Sequence, residues 1–340
     1  MKKKIFPVLK YLIFLAVGGV LLWLAFRGKD IGKSLNEIKN ADFTWIALAI
    51  IVMLLSHIVR ALRWNQLLDT LNIKTKTITT FYAVMIGYFV NNAVPRLGEI
   101  TRSGVLARHH KVPFNSVFGT VIAERAFDIL LMFVILFITI LSQLYFLGDF
   151  IRQNIISPIT TKFSSSTSAL IIIGGGFIGL CLLFFFLYRV FLPKLRKLKL
   201  FHKILDIIKG FWQGIKTIKN IRHKKLFILY SILMWGLYTI TIYVCFNSIS
   251  ATKHLNFVDA LTLMALGSIG TLVPTPGGIG AYQYFVTLTL FALFSIEKNT
   301  ALAFANLVYF TQWFMLNIVG GLSWVILFLS EKKNERNENK

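Results

Sequence analysis

Three acids, Glu99, Glu124 and Asp128, lie in otherwise weakly charged stretches away from the loops and chain ends. Glu124 and Asp128 are four residues apart and share one face of a helix, and Arg125 can pair with Asp128 at a spacing of three. If that helix begins near Ser116, Glu124 sits roughly 12 Å along it at 1.5 Å per residue. After Pro95, a helix continuing through Arg96, Glu99 and Arg102 would repeat every third residue and align the three side chains. Their positive, negative, positive order suits an anionic group held by two arginines, with the carboxylate orienting them or meeting a cationic group. The same residues could instead form an ion network that fixes a helical turn, and Glu124, Arg125 and Asp128 could tie two helices together.

A second candidate is Pro274-Thr275-Pro276-Gly277-Gly278-Ile279-Gly280. Proline blocks regular helix, while glycine permits positive φ and close backbone approach. A helix starting near Gly280 would aim its first amides at a cavity, a ready anion site, the alternative being a tight turn between two helices. Arg60, Arg63 and Trp64 close an apolar run and read as interfacial anchors, snorkelling cations beside an amphipathic ring. His109, His110 and His254 have no matched ligand spacing, so neither a metal nor a cofactor is assigned. No Ser/His/Asp set, P-loop or dinucleotide fingerprint has its strand-turn-helix context, and the chain is read as non-enzymatic.

The elements that must hold these residues are apolar. Of the 340 residues, 56% are hydrophobic and 15% charged, and mean hydropathy is +0.68, which marks an integral membrane protein. Runs at 8–26, 43–59, 117–147, 169–192, 226–247 and 300–329 are long enough to cross a hydrocarbon core, which takes roughly 20 residues as helix. None alternates with period two, as barrel strands would. The first run follows MKKK and reads as an uncleaved span, being long and without a small-residue cleavage site. Cys181 and Cys245 fall inside apolar runs and behave as small hydrophobes.

The formal charge is +23, from 37 Lys and Arg against 14 acids, and its location points to a membrane surface rather than to nucleic acid. Between Lys194 and Lys225 there are eleven basic residues and one acid, Asp206, which places this segment in the cytoplasm. Ile204, Ile208, Phe211, Ile215 and Ile218 recur at helical spacing, with Lys203, Lys209, Lys216 and Lys219 elsewhere. The segment 194–225 therefore reads as an amphipathic helix on anionic inner-leaflet lipids, each lysine contributing about 1 kcal/mol near the surface. A packed cytosolic linker with solvated charges is the plainer reading.

Two apolar segments are interrupted, YAVMIGYFVNNAVPRLGEI (82–100) and TLMALGSIGTLVPTPGGIG (262–280). Each has a central glycine, then Val-Pro, then a glycine-containing turn, and each follows one full span and precedes a long one. The repeats are 43–147 and 226–329. With a basic N-terminus inside and loop 194–225 inside, parity makes 79–115 a re-entrant hairpin from the cytoplasm. It makes 258–296 a hairpin from the outside, or else two ordinary spans, and leaves the tail 331–340 cytoplasmic. The expected fold is an all-α polytopic membrane protein of one integral domain, 1–340. It has about six full spans and two oppositely oriented hairpins, about eight transmembrane helices by hydropathy. Broken backbone at membrane depth needs protein or water to satisfy it, which makes the hairpin tips candidate binding sites.

At RALRW (60–64), NNAVPRLGEITR (91–102), ERAFD (124–128) and PTPGGIG (274–280), the sequence resembles the lysylphosphatidylglycerol synthase membrane-region family, also called flippase-like. The motifs occur in the family's order over most of the chain. The resemblance implies a multispan bundle whose bifunctional members move an aminoacylated phospholipid between leaflets. It implies a substrate site at Arg96, Glu99, Arg102, Glu124, Arg125, Asp128 and the 274–280 turn, including Pro276, Gly277, Gly278 and Gly280. Members often carry a glutamate shortly after the PGG turn, where this chain has Gln283. Bifunctional members also carry a soluble aminoacyl-transfer domain after the membrane region. This sequence ends at Lys340, so it is expected not to make an aminoacylated lipid itself. The leading expectation is an inner-membrane translocase for a phospholipid or lipid-linked intermediate. The alternatives are a secondary transporter of a small anion and a non-catalytic subunit supporting a glycosyl- or acyl-transferase. A homo-oligomer or a transferase partner fits any of these.

Overall fold

A computed structural model describes residues 15–151, 221–273 and 275–338. The span expected at 169–192, nearly all of the basic segment 194–225, Cys181 and Pro274 lie outside the described residues. Every regular element among them is helical. In chain order these are α1 (Leu15–Phe26), α2 (Ile31–Lys39), α3 (Phe43–Leu68), α4 (Thr77–Ala93) and α5 (Leu97–His109). They continue with α6 (Phe114–Ile151), α7 (Lys224–Phe246), α8 (Phe257–Leu272), α9 (Ala281–Phe294) and α10 (Lys298–Glu338). The chain divides into two compact units, Met1–Leu136 with Gly214–Lys340, and Phe137–Gln213. Of the second unit the end of α6 is described, and the candidate site lies wholly in the first.

Four helical stretches among the described residues are long and apolar enough to cross a membrane: Phe43–Leu71, Lys224–Phe246, Pro276–Phe294 and Lys298–Ser330. Their apolar side chains are not all internal: Ile51, Leu55, Ile232, Phe314 and Ile318 are exposed on the surface, where only lipid would cover them favourably. Local sequence sets the starts. Asp42 caps α3 by accepting from Thr44 N–H, and Asn256 with Asp259 forms a reciprocal capping box at α8.

Both interrupted segments are helical hairpins. In the first, α4 ends at Ala93, the backbone leaves helix at Val94 (φ −130°), and α5 starts at Leu97. The two helices meet backbone to backbone, since a Cβ on Gly98 would lie 2.0 Å from Gly87 O. In the second, α8 and α9 are joined through Pro276–Gly278, with positive φ at Gly277, Gly278 and Gly280.

Two apolar cores organise the first unit. One gathers Trp64, Leu67 and Leu68 at the end of α3, Ala83 and Val84 of α4, Leu106 of α5, Val117 and Val121 at the start of α6, and Phe227 at the start of α7. The other gathers Val244 and Phe246 at the end of α7, Leu263 of α8, Val286 of α9, Phe304 at the start of α10, and Ile46 and Ala49 at the start of α3. Helices α3 and α7 are thus antiparallel neighbours, each contributing its beginning to one core and its end to the other. Cys245 is buried in the second core, as a small hydrophobe would be.

Candidate functional site

The end of α3 carries Arg60 and Arg63 one helical turn apart, and both point inward. Arg63 is fully buried and Arg60 is 4% exposed. This corrects the reading of these residues as snorkelling anchors. Trp64 is also fully buried, its indole N–H donating to Thr120 Oγ1 at 2.9 Å and its ring lying under the Arg102 guanidinium at 4.6 Å. A cation at the end of an apolar run normally reaches for water; these two turn inward because acids on α6 meet them.

Those acids are Glu124 and Asp128, four apart and on one face as their spacing requires. Arg63 Nη2 lies 3.0 Å from Glu124 Oε1 and its Nη1 2.6 Å from Asp128 Oδ1. Arg60 Nη1 is 3.6 Å from Glu124 Oε1 and its Nη2 3.1 Å from Asp128 Oδ2. Arg102 Nη2 reaches the other Glu124 oxygen at 3.0 Å. Three guanidinium groups therefore converge on one fully buried carboxylate. Arg125 faces the other way along α6, pairing with Glu99 at 3.0 Å and approaching Asp128 Oδ2 only at 4.0 Å. The Glu99–Arg125 pair is partly exposed, unlike the rest.

Four arginines against three carboxylates leave one positive charge in excess. Beside them is a narrow, partly open cleft lined by Arg60, Tyr88, Asn91, Glu99, Arg102 and Arg125 with Val84, Gly87 and Gly98. Arg102 is 3% exposed, and its Nε and Nη1 have no hydrogen-bond partner; Arg60 Nε is likewise unpartnered. A buried donor left without a partner costs about 1–3 kcal/mol, more when charged, so the arrangement gains by admitting an acceptor. The hairpin positions Arg102, whose stem packs over Gly87 with 3.2 Å between its Cβ and a Cβ built there. Asn91 clasps the hairpin, accepting from Gly98 N–H at 2.7 Å and donating to Glu99 Oε2 at 3.4 Å.

Of the sequence-derived candidates, Glu99, Arg102, Glu124, Arg125 and Asp128 come together here. Arg96 does not join them. It precedes α5 with φ 65°, outside the helix, and is exposed. Alignment at every third residue requires helix directly after Pro95, whereas the helix begins at Leu97. Arg60, Arg63, Tyr88 and Asn91 were not assigned to the site. The spacing of three between Arg60 and Arg63 against four between Glu124 and Asp128 was the signal that could have paired them.

The 276–280 turn does not line this cleft; it packs against protein at Gly277 and Gly280 and is open at Gly278. Gly277 O accepts from Tyr309 O–H at 3.1 Å, and a Cβ on Gly277 would meet Asn92 Oδ1 at 3.1 Å. Thus the second tip touches the end of α4. A Cβ on Gly280 would strike Gly18 O of α1 at 2.2 Å, and the Gly280 amide donates to Gln283 Oε1 at 2.8 Å. The Gly280 amide at the start of α9 is thus capped from within, and the turn packs on α1 there. Gln283, where the resemblance suggested a glutamate, supplies the neutral acceptor for that cap. Thr275, the described residue before Pro276, is also buried.

Residues 10–320 match the family described as the lysylphosphatidylglycerol synthase TM region. The chain is similar to a UPF0104 membrane protein of Pyrococcus horikoshii, 27% identical over 95% of this chain and 98% of the relative. It is also similar to a UPF0104 membrane protein of Methanocaldococcus jannaschii, 25% identical over 96% of this chain and 95% of the relative. A second such protein of that organism is 28% identical over 73% of this chain and 99% of its own length. No solved structure matches the chain.

Proposed function

We propose that this chain, which belongs to the lysylphosphatidylglycerol synthase TM-region family of membrane proteins, is a non-enzymatic translocase for a phospholipid or lipid-linked intermediate with an anionic headgroup. The observation that carries this reading is Arg102: buried, lining the cleft, and holding unpartnered donors in a cluster with one positive charge to spare. A phosphate would accept from that planar fork and neutralise the excess. The cleft is narrow and open on one side, which favours a headgroup presenting its anionic oxygens at the mouth while the rest of the ligand stays outside. A lipid, with its acyl chains in the bilayer, has that shape. The partly exposed Glu99–Arg125 pair marks the mouth, where a carboxylate could meet a cationic headgroup substituent.

The proposed architecture is an inverted repeat in the inner membrane, 43–147 against 226–329, with about six full spans, two oppositely oriented hairpins and both termini cytoplasmic. The two cores support it. Each combines the end of one pre-hairpin helix, the hairpin, the start of the following helix and the start of the other pre-hairpin helix. Among the described residues of the second half the buried polar groups are neutral, Gln283, Thr287 and Asn306 among them, so the cationic cleft belongs to the first half. Anionic inner-leaflet lipids at 194–225, and a second copy or a transferase, are the proposed partners. Native mass spectrometry of the purified protein tests the assignment: retained anionic phospholipid or lipid-linked phosphate is expected, and its loss in Arg102→Ala locates it. Retention of zwitterionic lipid alone, unchanged by that substitution, would refute it.

A further inference from the structure

His57 occupies the middle of α3, 2% exposed, and neither of its ring nitrogens has a hydrogen-bond partner. Among the described residues the buried arginines and carboxylates are all in ion pairs, whereas this basic side chain is not. An ionisable group at such depth is expensive and functional by default, and an orphaned buried polar atom calls for a reason. The reason lies in its neighbours. Its ring is 4.9 Å from that of Tyr88, which lines the cleft, and 6.4 Å from that of Tyr238 on α7. Arg60, one turn further along α3, lies on the same helical face and reaches the same cleft. From α10, the side chains in the adjoining layer are the apolar Met315 and Leu316. The charged neighbour of His57 is Arg60, itself paired with Glu124 and Asp128 of α6, and from α4 and α7 the imidazole meets the phenol rings of Tyr88 and Tyr238.

We propose that occupation of the cleft by an anion is coupled to uptake of a proton by His57, making the proton a co-substrate of headgroup binding. The inference rests on the cleft being an anion site. With the cleft empty, burial away from water and the Arg60 cation one turn away both oppose a positive charge on His57. A phosphate or sulfate oxyanion supplies the missing negative charge and offsets the electrostatic part of that opposition, so His57 takes a proton from solvent as the anion enters and returns it as the anion leaves. By linkage, anion affinity then rises as pH falls, with a slope of at most about tenfold per pH unit. A proton gradient would bias the direction of release.

The test is calorimetric titration of the detergent-solubilised full chain at pH 5.5–7.5, in buffers of different ionisation enthalpy. The probes are sulfate, which does not itself titrate there, and a short-chain phosphatidylglycerol. The coupled site takes up protons with the anion, in a fraction that grows towards one per anion as pH falls across this range. His57→Gln abolishes the uptake while still binding anion with a flat pH dependence. Uptake with phosphatidylglycerol but not sulfate identifies a lipid headgroup as the ligand; uptake with both identifies the bare oxyanion. Tight binding to the wild type without proton uptake overturns the coupling and leaves the anion site standing. Binding of neither probe at any pH overturns the site itself, and the coupling with it.

Discussion

Arg63 Nη1 and Asp128 Oδ1 lie 2.6 Å apart in a pair that brings the end of α3 onto α6, and the Arg63 side chain is wholly buried. The pair closes a network whose centre is Glu124, reached by three arginines. Replacing one member of a buried pair exposes its partner to an uncompensated low-dielectric setting, at about 3–5 kcal/mol. Glu124→Gln is therefore expected to destabilise by about that much, seen as lost monodisperse protein after mild heating in detergent. Asp128→Asn should be milder, since Asp128 retains 7% exposure. Equal melting of Glu124→Gln and wild type would remove the network from the stability account.

Glu99 and Arg125 behave differently, because their side chains are 24% and 38% exposed. Exposed pairs contribute roughly 0–1 kcal/mol, so Glu99→Gln should leave the melting temperature nearly unchanged. It also removes a negative charge at the cleft, and retention of an anionic lipid should increase, measured by mass spectrometry of the purified variant. A fall in both melting and retention would make Glu99 a structural member of the cluster.

These contrasts show what local sequence can and cannot carry. That Glu124 shares a helical face with Asp128, and Glu99 with Arg102, was legible because helical spacing fixes which residues share a face. The fate of Arg60 and Arg63 was not, because an arginine at the end of an apolar run looks the same whether it faces lipid headgroups or acids brought in from α6, some sixty residues later. Arg96 failed for a smaller reason: its left-handed conformation ends the turn one residue later than Pro95 suggests. Both hairpins were visible through proline and glycine, while the packing of Gly280 on Gly18 depends on a distant helix.

That packing makes its own prediction. Gly278 has positive φ but open space where a Cβ would go, so Gly278→Ala should cost only the backbone term, about 1–2 kcal/mol. Gly280→Ala adds a collision with Gly18 O and should be far more destabilising in the same melting assay. The reverse ranking would mean α1 does not rest on this turn.

The inverted-repeat orientation predicts opposite exposure of two loop lysines, each exposed in the structure. Cysteine at Lys253 should react with an impermeant maleimide in intact cells, and cysteine at Lys111 only after permeabilisation. Labelling of Lys111→Cys from outside would exclude a hairpin returning to the cytoplasm.

The most direct measurement is translocation itself, in proteoliposomes carrying fluorescent phosphatidylglycerol or phosphatidylcholine. The wild type should move the anionic lipid between leaflets faster than the zwitterionic one. Arg102→Lys, which keeps the charge but loses the planar fork, should slow the anionic lipid by roughly tenfold, about 1.4 kcal/mol, at unchanged reconstitution yield. Arg96→Lys, on the exposed turn, should not. If the wild type moves neither phosphatidylglycerol nor a lipid-linked sugar phosphate above protein-free vesicles, or if Arg102→Lys moves them as well as the wild type, the cleft is not a headgroup site and the translocase account is wrong.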